Sequence, residues 1–348
     1  MTARKVLHMH FGKEGGAERF FVNLVQGFAE RGMEQRFVIR PGRIWRDEIA
    51  SLGPVTENHY RRLSLSAPLL TWRTHSMVRR WKPDVIMAWM SRSSRLIPDY
   101  PPALKLTRLG DYPRHLRHFR HNDVIVANTP GIAEACRALG WNGDLRVISN
   151  FPREVAINPV PRSSLDTPED AFVVASSGRF VGRKGFDTLL RAVARIPGAW
   201  LWLMGEGEKR AELETLAREL GIAERTRFTG WVTEPMDYVA SASVFVMPSR
   251  HEPLGNVILE AWQSGSPVVS TRSEGPSWFV RDGEDALLCE IDDVEGMAAA
   301  ILALRDNPAL GRRLAEAGTA RIVAEFTRAR ILDAYEKLFD SKTRSDGA

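Results

Sequence analysis

Met247-Pro-Ser-Arg-His-Glu252-Pro-Leu-Gly255-Asn-Val-Ile-Leu-Glu260-Ala-Trp-Gln-Ser-Gly265-Ser-Pro-Val-Val-Ser270 is the stretch whose reading decides the fold of this 348-residue chain. Ahead of it, Val244-Phe245-Val246-Met247 is a short apolar, β-prone run that Pro248 cuts off. From about Asn256 the apolar positions Val257, Ile258 and Ala261 suit a helix, which Gly265 ends. Pro267-Val268-Val269 then opens another strand. The stretch is one βαβ unit, with its polar residues gathered in the loop and the first helical turns.

That placement has a chemistry. Gly255 lets a ligand approach the backbone, and the N–H groups at a helix start favour an anion. Glu252 falls in the loop and Glu260 inside the helix. Eight helical residues span about 12 Å, so the two carboxylates cannot share one small group. They can hold opposite ends of an elongated ligand whose anionic middle rests on the helix, the shape of a nucleotide diphosphate sugar. Two solvated glutamates would explain the pair alone equally well.

The surrounding residues narrow the choice. Glu252-Pro-Leu-Gly-Asn-Val-Ile-Leu-Glu260-Ala-Trp262, followed by Ser264-Gly-Ser-Pro-Val-Val269, resembles the donor-binding signature of family 4 of the retaining glycosyltransferases. That resemblance implies an α/β chain of the GT-B fold, with two Rossmann-like parallel-sheet domains facing across a cleft. It implies that Leu254, Gly255, Asn256 and Val257 line the donor, that Glu252 holds sugar hydroxyls and that Glu260 holds the ribose.

Bulk properties agree with two soluble domains: the chain exceeds one compact core, with 44% hydrophobic and 26% charged residues. Two cysteines, Cys136 and Cys289, argue against a disulfide framework or structural zinc site and suit a reducing compartment. No apolar run approaches membrane-spanning length, so a cytoplasmic protein is expected, at most resting on the membrane's inner face. Charge is polarised: residues 1–165 hold 26 Lys+Arg against 14 Asp+Glu, and the remainder 22 against 29. The first half therefore expects an anionic partner.

From the N-terminus, Val6 to Phe11 reads as a buried strand leading into Gly12-Lys-Glu-Gly15-Gly16-Ala-Glu-Arg19 and a helix to about Arg31. No Gly-x-Gly-x-x-Gly or Walker pattern occurs, and a tight turn would equally explain the glycines. The loop resembles the Gly-Gly-Ala-Glu loop after strand one of the same glycosyltransferases, which implies that Gly15 and Gly16 contact the donor diphosphate. Ser66 to Lys82 reads as a helix with Leu69, Leu70, Met77 and Val78 apolar. Its Arg73, Arg79, Arg80 and Lys82 beside Trp72 and Trp81 suit either a membrane interface or a solvated helix face. Arg114, His115, Arg117, His118, Arg120 and His121 add dense positive potential. Strand–helix alternation through Pro152 implies a mainly parallel sheet with ligands at the carboxyl ends of its strands.

Three prolines between Ile157 and Pro168 mark a linker, placing the domains at 1–158 and 159–325, with a helix from about 326 packing back onto the first. Past the linker, Gly178-Arg179-Phe-Val-Gly-Arg-Lys184-Gly-Phe-Asp187 follows a strand. Arg179 can bind a phosphate in bidentate fashion and Lys184 supplies a point charge, though an ordinary surface loop reads the same way. The run resembles the family's Gly-Arg…Lys-Gly-x-Asp motif, whose basic pair binds the donor pyrophosphate. Gly205-Glu-Gly207 and Trp231-Val232 resemble its base-side loops, and Ser273-Glu-Gly-Pro276 its sugar-side loop. A last helix is expected from about Ala320 to Phe339, with a frayed tail from Lys342.

One departure stands out. Many members carry a histidine after the fourth-domain strand, facing the reacting sugar; here the run is Thr107-Arg108-Leu-Gly-Asp111, making Arg108 and Asp111 candidates for that surface. No Asp-x-Asp triplet or His/Cys cluster has metal-ligand spacing, so neither metal nor cofactor is expected. Arg179, Lys184, Glu252 and the helix start must then handle the leaving group. The expectation is a metal-independent, retaining hexosyltransferase, its donor UDP-linked and its acceptor an anionic glycan or glycolipid such as lipopolysaccharide core. Nucleic acid is not called for. A nucleotide-sugar epimerase of this fold, or a non-catalytic polyanion-binding protein using the Arg/His-rich surface, are the alternatives.

Overall fold

The computed structural model describes residues 4–13, 15–59 and 66–343. Glu14 of the first glycine loop, the Leu70 side chain and most of the expected tail lie outside the described residues. The chain divides into two compact units, 1–150 with 328–348, and 151–327.

The first unit runs β1 (Lys5–His10), α1 (Gly16–Glu30), β2 (Glu34–Ile39), α2 (Arg46–Ala50), β3 (Val55–Glu57) and α3 (Ser66–Trp81). It continues through β4 (Val85–Trp89), α4 (Met90–Ser94), β5 (Leu104–Leu109), β6 (Val124–Ala127), α5 (Pro130–Ala138) and β7 (Asp144–Val147). Its described strands form one parallel sheet in the order β3-β2-β1-β4-β5-β6-β7. Strands β4 and β5 are buried along their whole length, as a sheet covered on both faces requires. Strand order reverses between β1 and β4, the place where such sheets open a ligand crevice at their carboxyl ends.

The second unit runs β8 (Val173–Ser177), α6 (Phe186–Ala194), β9 (Trp200–Met204), α7 (Arg210–Glu219), β10 (Thr226–Gly230), α8 (Pro235–Ser241) and β11 (Val244–Met247). Then come α9 (Asn256–Gln263), β12 (Val268–Thr271), α10 (Glu274–Phe279), β13 (Leu287–Cys289), α11 (Val294–Asp306) and α12 (Pro308–Glu325). Its described strands form a parallel sheet in the order β10-β9-β8-β11-β12-β13. Val174, Leu201, Leu203, Val244 and Val246 meet α6 and α11 on one face; Ala175, Trp202, Phe245 and Val268 meet α9 on the other.

Two expectations are corrected. The single final helix is two: α12 ends at Glu325 and α13 spans Arg328–Thr343. Phe326 fills the second unit's core, whereas Tyr335 meets Phe28 of α1 edge-on and Phe339 meets it tilted. The apolar residues that read as one stripe serve two cores. The proline-rich segment is no loose linker either: after Phe151 it is strapped to the second unit. Asn158 N–H donates to Asp237 Oδ1 at 2.8 Å, Arg162 donates to the Ser241, Glu169 and Ala171 carbonyls, and Trp202 Nε1 donates to Thr167 Oγ1 at 3.0 Å.

Candidate active site

In the second unit the site is built where β8 and β11 end. Gly178 N–H donates to the Met204 carbonyl at 3.0 Å and Phe180 N–H to the Glu206 carbonyl at 2.8 Å, so the Arg179 loop lies against the Gly205–Gly207 turn. A Cβ on Gly205 would fall 2.0 Å from the Gly178 oxygen, which is why that turn is glycine. Phe180 is fully buried and edge-on to Phe186, pinning the loop while Arg179 stays exposed beside it.

A 3-10 turn, Gly182–Lys184, brings Lys184 back over the same loop: a Cβ on Gly178 would lie 3.7 Å from Lys184 Cε. Lys184 Nζ donates to Glu252 Oε2. Gly185 closes the turn with φ 66°, and a Cβ there would sit 2.0 Å from the Pro248 oxygen. The two loops are further joined by Arg250, whose N–H donates to the Arg183 carbonyl at 2.8 Å. Its guanidinium grips Asp187 at 2.7 and 2.9 Å and Asp292 at 2.7 Å. Burial, the largest single influence, works to raise the Asp187 carboxyl, but the Arg250 hydrogen bonds and charge together with the Asp187 and Thr188 backbone N–H groups hold Asp187 below the usual carboxylate range.

Glu252 is braced from the other side. Its N–H donates to Glu274 Oε2 at 3.1 Å, its carbonyl accepts from Gly275 N–H at 2.8 Å, and His251 Nδ1 lies 2.8 Å from Glu274 Oε1. Gly275 packs on the Leu254 backbone so closely that a Cβ would meet its oxygen at 2.2 Å. Leu254 is buried beneath the loop, and Gly255 at φ 96° turns the chain into α9. Gly255, at the N-cap, has no side chain to cap the helix, and α9 begins at Asn256 and Val257 directly behind the loop.

Glu260 occupies the second turn of α9, among different neighbours. Gln263, three residues on and on the same helix face, donates to the Arg153 carbonyl at 2.7 Å. Arg153 in turn grips Glu234 at 2.8 and 3.2 Å. Glu260 keeps some surface but is densely enclosed. Burial pushes its carboxyl up to about 7, with Arg153 pulling down and Glu234 pushing up.

The structure thus brings Lys184 and Glu252 into contact, leaves Arg179 exposed on the loop that carries Lys184, and gives Glu260 a separate cluster one helix turn further in. Arg250 and Glu274 were not singled out from the sequence, although both lie inside quoted motifs. Arg153 and Glu234 carry no sequence signal, because their meeting depends on segments about eighty positions apart. A cavity of about 660 Å³ opens elsewhere in this unit, between α6 and α7; it reaches Asp187 and Arg250 but none of the four motif residues.

In the first unit, Gly15 stands at φ 149° at the N-cap of α1, with its carbonyl accepting from Arg19 N–H at 3.1 Å, and Gly16 begins the helix. Beneath them His10 is fully buried. Burial, with Arg108, Arg43 and His8 adding to it, lowers its pKa to about 3, so it is neutral. Arg108 is corrected: it is 1% exposed, its guanidinium 4.5 Å from the Phe20 ring and 5.5 Å from the Trp89 ring, donating to Asn150 Oδ1. It is a core residue here, not part of an exposed surface. Asp111 is half-buried and accepts from Tyr112 N–H at 2.8 Å.

Residues 160–321 match the family profile described as Glycosyl transferases group 1. Lipopolysaccharide core biosynthesis glycosyltransferase LpsE of Rhizobium meliloti (strain 1021) is 55% identical over 338 residues, 97% of this chain and 99% of that protein. LpsD of the same organism is 49% identical over 97% of this chain and 98% of its own. Among solved structures, HepE of Anabaena in complex with UDP-glucose superposes with a TM-score of 0.84 at 21% identity, covering 97% of this chain and 99% of that one, a likeness of fold. A pair of parallel-sheet units of this kind is the GT-B architecture, and with relatives this similar along the whole length the chain belongs to the group 1 glycosyl transferases.

Proposed function

We propose that this glycosyltransferase moves a hexose from a UDP-linked donor onto a lipopolysaccharide core acceptor, with retention at the anomeric carbon and without a metal. The observation that carries the reading is the Lys184–Glu252 pair, which joins the loop that also carries Arg179 to the loop that leads through Gly255 into α9. Arg179, Lys184 and the Asn256–Val257 N–H groups neutralise the diphosphate. Glu252 and the Leu254–Gly255 loop hold the sugar, Glu260 the ribose, and Gly15 and Gly16 give backbone N–H groups to the donor. The bond from the anomeric carbon to the diphosphate oxygen breaks, the acceptor oxygen bonds on the same face, and its proton passes to the departing phosphate. The names of LpsE and LpsD support the core acceptor, and the UDP-glucose bound to HepE supports the uridine donor.

Incubating the enzyme with a panel of nucleotide sugars and truncated lipopolysaccharide tests this. Transfer that survives chelation, with the donor's anomeric configuration kept in the product by NMR, is the expected result. Neither transfer nor donor hydrolysis across the panel would defeat the reading, and conversion of donor alone to its epimer would replace it.

The enzyme works at the cytoplasmic membrane surface. Among the described residues no helix is long and apolar enough to cross a membrane. On α3, however, Trp72 is 63% and Leu69 46% exposed beside exposed Arg73, Arg79 and Arg80. Sedimentation with phosphatidylglycerol vesicles, lost in high salt and absent with phosphatidylcholine, is expected; equal partitioning to both would remove this part.

A further inference from the structure

We propose that Arg153 and Glu234 act as a pair of positioning residues for Glu260, setting how the nucleotide half of the donor is held. The proposal rests on the donor-site reading above. Its basis is a set of contacts around the helix that carries Glu260. Arg153, just after the division between the units, is fixed to α9 through its own carbonyl, which accepts from Gln263 on Glu260's face. Its guanidinium reaches the β10–α8 loop, binding Glu234 through both terminal nitrogens and the Thr233 carbonyl at 3.3 Å. Thr233 and Glu234 directly follow Trp231 and Val232, and Trp231 is 72% exposed at the tip of that loop. One arginine therefore ties the loop on the base side to the helix carrying the ribose carboxylate. With its side chain only 17% exposed, Arg153 is sheltered enough for its charge to act strongly.

The two charges pull on Glu260 in opposite directions, Arg153 favouring the carboxylate and Glu234 disfavouring it. No other residue of α9 titrates. Asp237 of α8 is spent on the Asn158 N–H, and the Arg321, Asp285 and Glu325 group lies against the Trp262 ring rather than Glu260. An ionised Glu260 accepts from both ribose hydroxyls at once, whereas a protonated one must give up part of that capacity.

The test is UDP-glucose affinity by calorimetry from acid to alkaline pH on the full chain; esterified diphosphate does not titrate near neutrality. Wild-type binding is expected to strengthen as pH rises through about 7. Arg153→Gln should move that midpoint up, and Glu234→Gln should move it down, each by about one unit, which at neutral pH is up to tenfold in affinity. Arg153→Lys should restore most of the shift. A purely structural tie would weaken both variants without separating their midpoints, and that outcome overturns the proposal while leaving the donor site standing. Glu260→Gln that binds UDP-glucose as wild type does, or a wild type that binds neither UDP-glucose nor UDP, would overturn the donor reading itself and this inference with it.

Discussion

Lys184 and Glu252, sixty-eight positions apart, neutralise each other: Nζ donates to Oε2 and both side chains are only 16% exposed. The cation assigned to the diphosphate and the carboxylate assigned to the sugar are thus one unit before any donor arrives. Removing either leaves a sheltered charge without its counterpart. Lys184→Met and Glu252→Gln should each slow turnover by about 10²-fold. The double variant should lose far less than the product of the two, a coupling of about 1–3 kcal/mol in a double-mutant cycle on initial rates. Additive losses would mean that the pair does not work as a unit.

Arg179 is exposed on the loop that also carries Lys184. Arg179→Ala should mainly lower kcat, because its fork meets charge that develops as the sugar leaves. Glu260→Ala should instead weaken binding of UDP, which lacks the sugar. Steady-state kinetics with UDP inhibition separates the two, and a variant with wild-type constants would lose its assigned role.

The raised Glu260 carboxyl also has a stability signature. Its folded-state pKa, about 7, lies above the ordinary 4.5, so the folded protein holds the proton more tightly. The stabilisation is complete below about 4.5 and is lost as pH climbs through about 7. Wild type should therefore lose about 2 kcal/mol relative to Glu260→Gln between mildly acid and mildly alkaline solution, measured by urea denaturation of both proteins. Parallel stability profiles would show that the carboxyl is not held up.

Gly185 and Gly198 both sit in left-handed backbone, at φ 66° and 76°, but only Gly185 faces an obstacle. Gly198→Ala should cost about 1 kcal/mol from the backbone alone. Gly185→Ala must in addition displace the Pro248 carbonyl and with it the hinge between the Lys184 and Glu252 loops, so it should cost several times as much and weaken donor binding. Denaturation curves with donor titrations check both, and equal costs would contradict the contact.

Arg108 should behave as a core residue. Arg108→Lys keeps the charge but gives up the guanidinium stacked on Phe20 and Trp89 and its reach to Asn150. A loss of about 2 kcal/mol is expected with kcat nearly unchanged in the folded fraction. A collapse of kcat at full stability would return Arg108 to the reacting sugar.

How much of this was legible in the sequence follows from how local each feature is. The strand–loop–helix around Glu252 and Glu260 was readable because strand end, glycine and helix are contiguous. Short β3, α2, α4 and α10 were missed, since three to six residues give too little periodicity to register. Arg108 stands where many members of the family carry a histidine, so the resemblance points it at the sugar, and only the aromatic rings of distant Phe20 and Trp89 show that it enters the core. The break at Phe326-Thr327 was invisible because apolar spacing does not say which core a side chain enters.

That break has an effect on how the chain is made. Leu332 packs against Gly27, and Arg31 pairs with Asp333 and Glu336 at 2.8 Å, so the face of α1 is covered by residues synthesised about three hundred positions later. As the polypeptide leaves the ribosome, the middle module can fold from one contiguous length, while the module begun first must wait for the last segment to emerge. A stop codon shortly after Glu325 should accordingly injure the amino-terminal half, exposing Phe28 to chaperones and proteases, and spare the region next to the truncation.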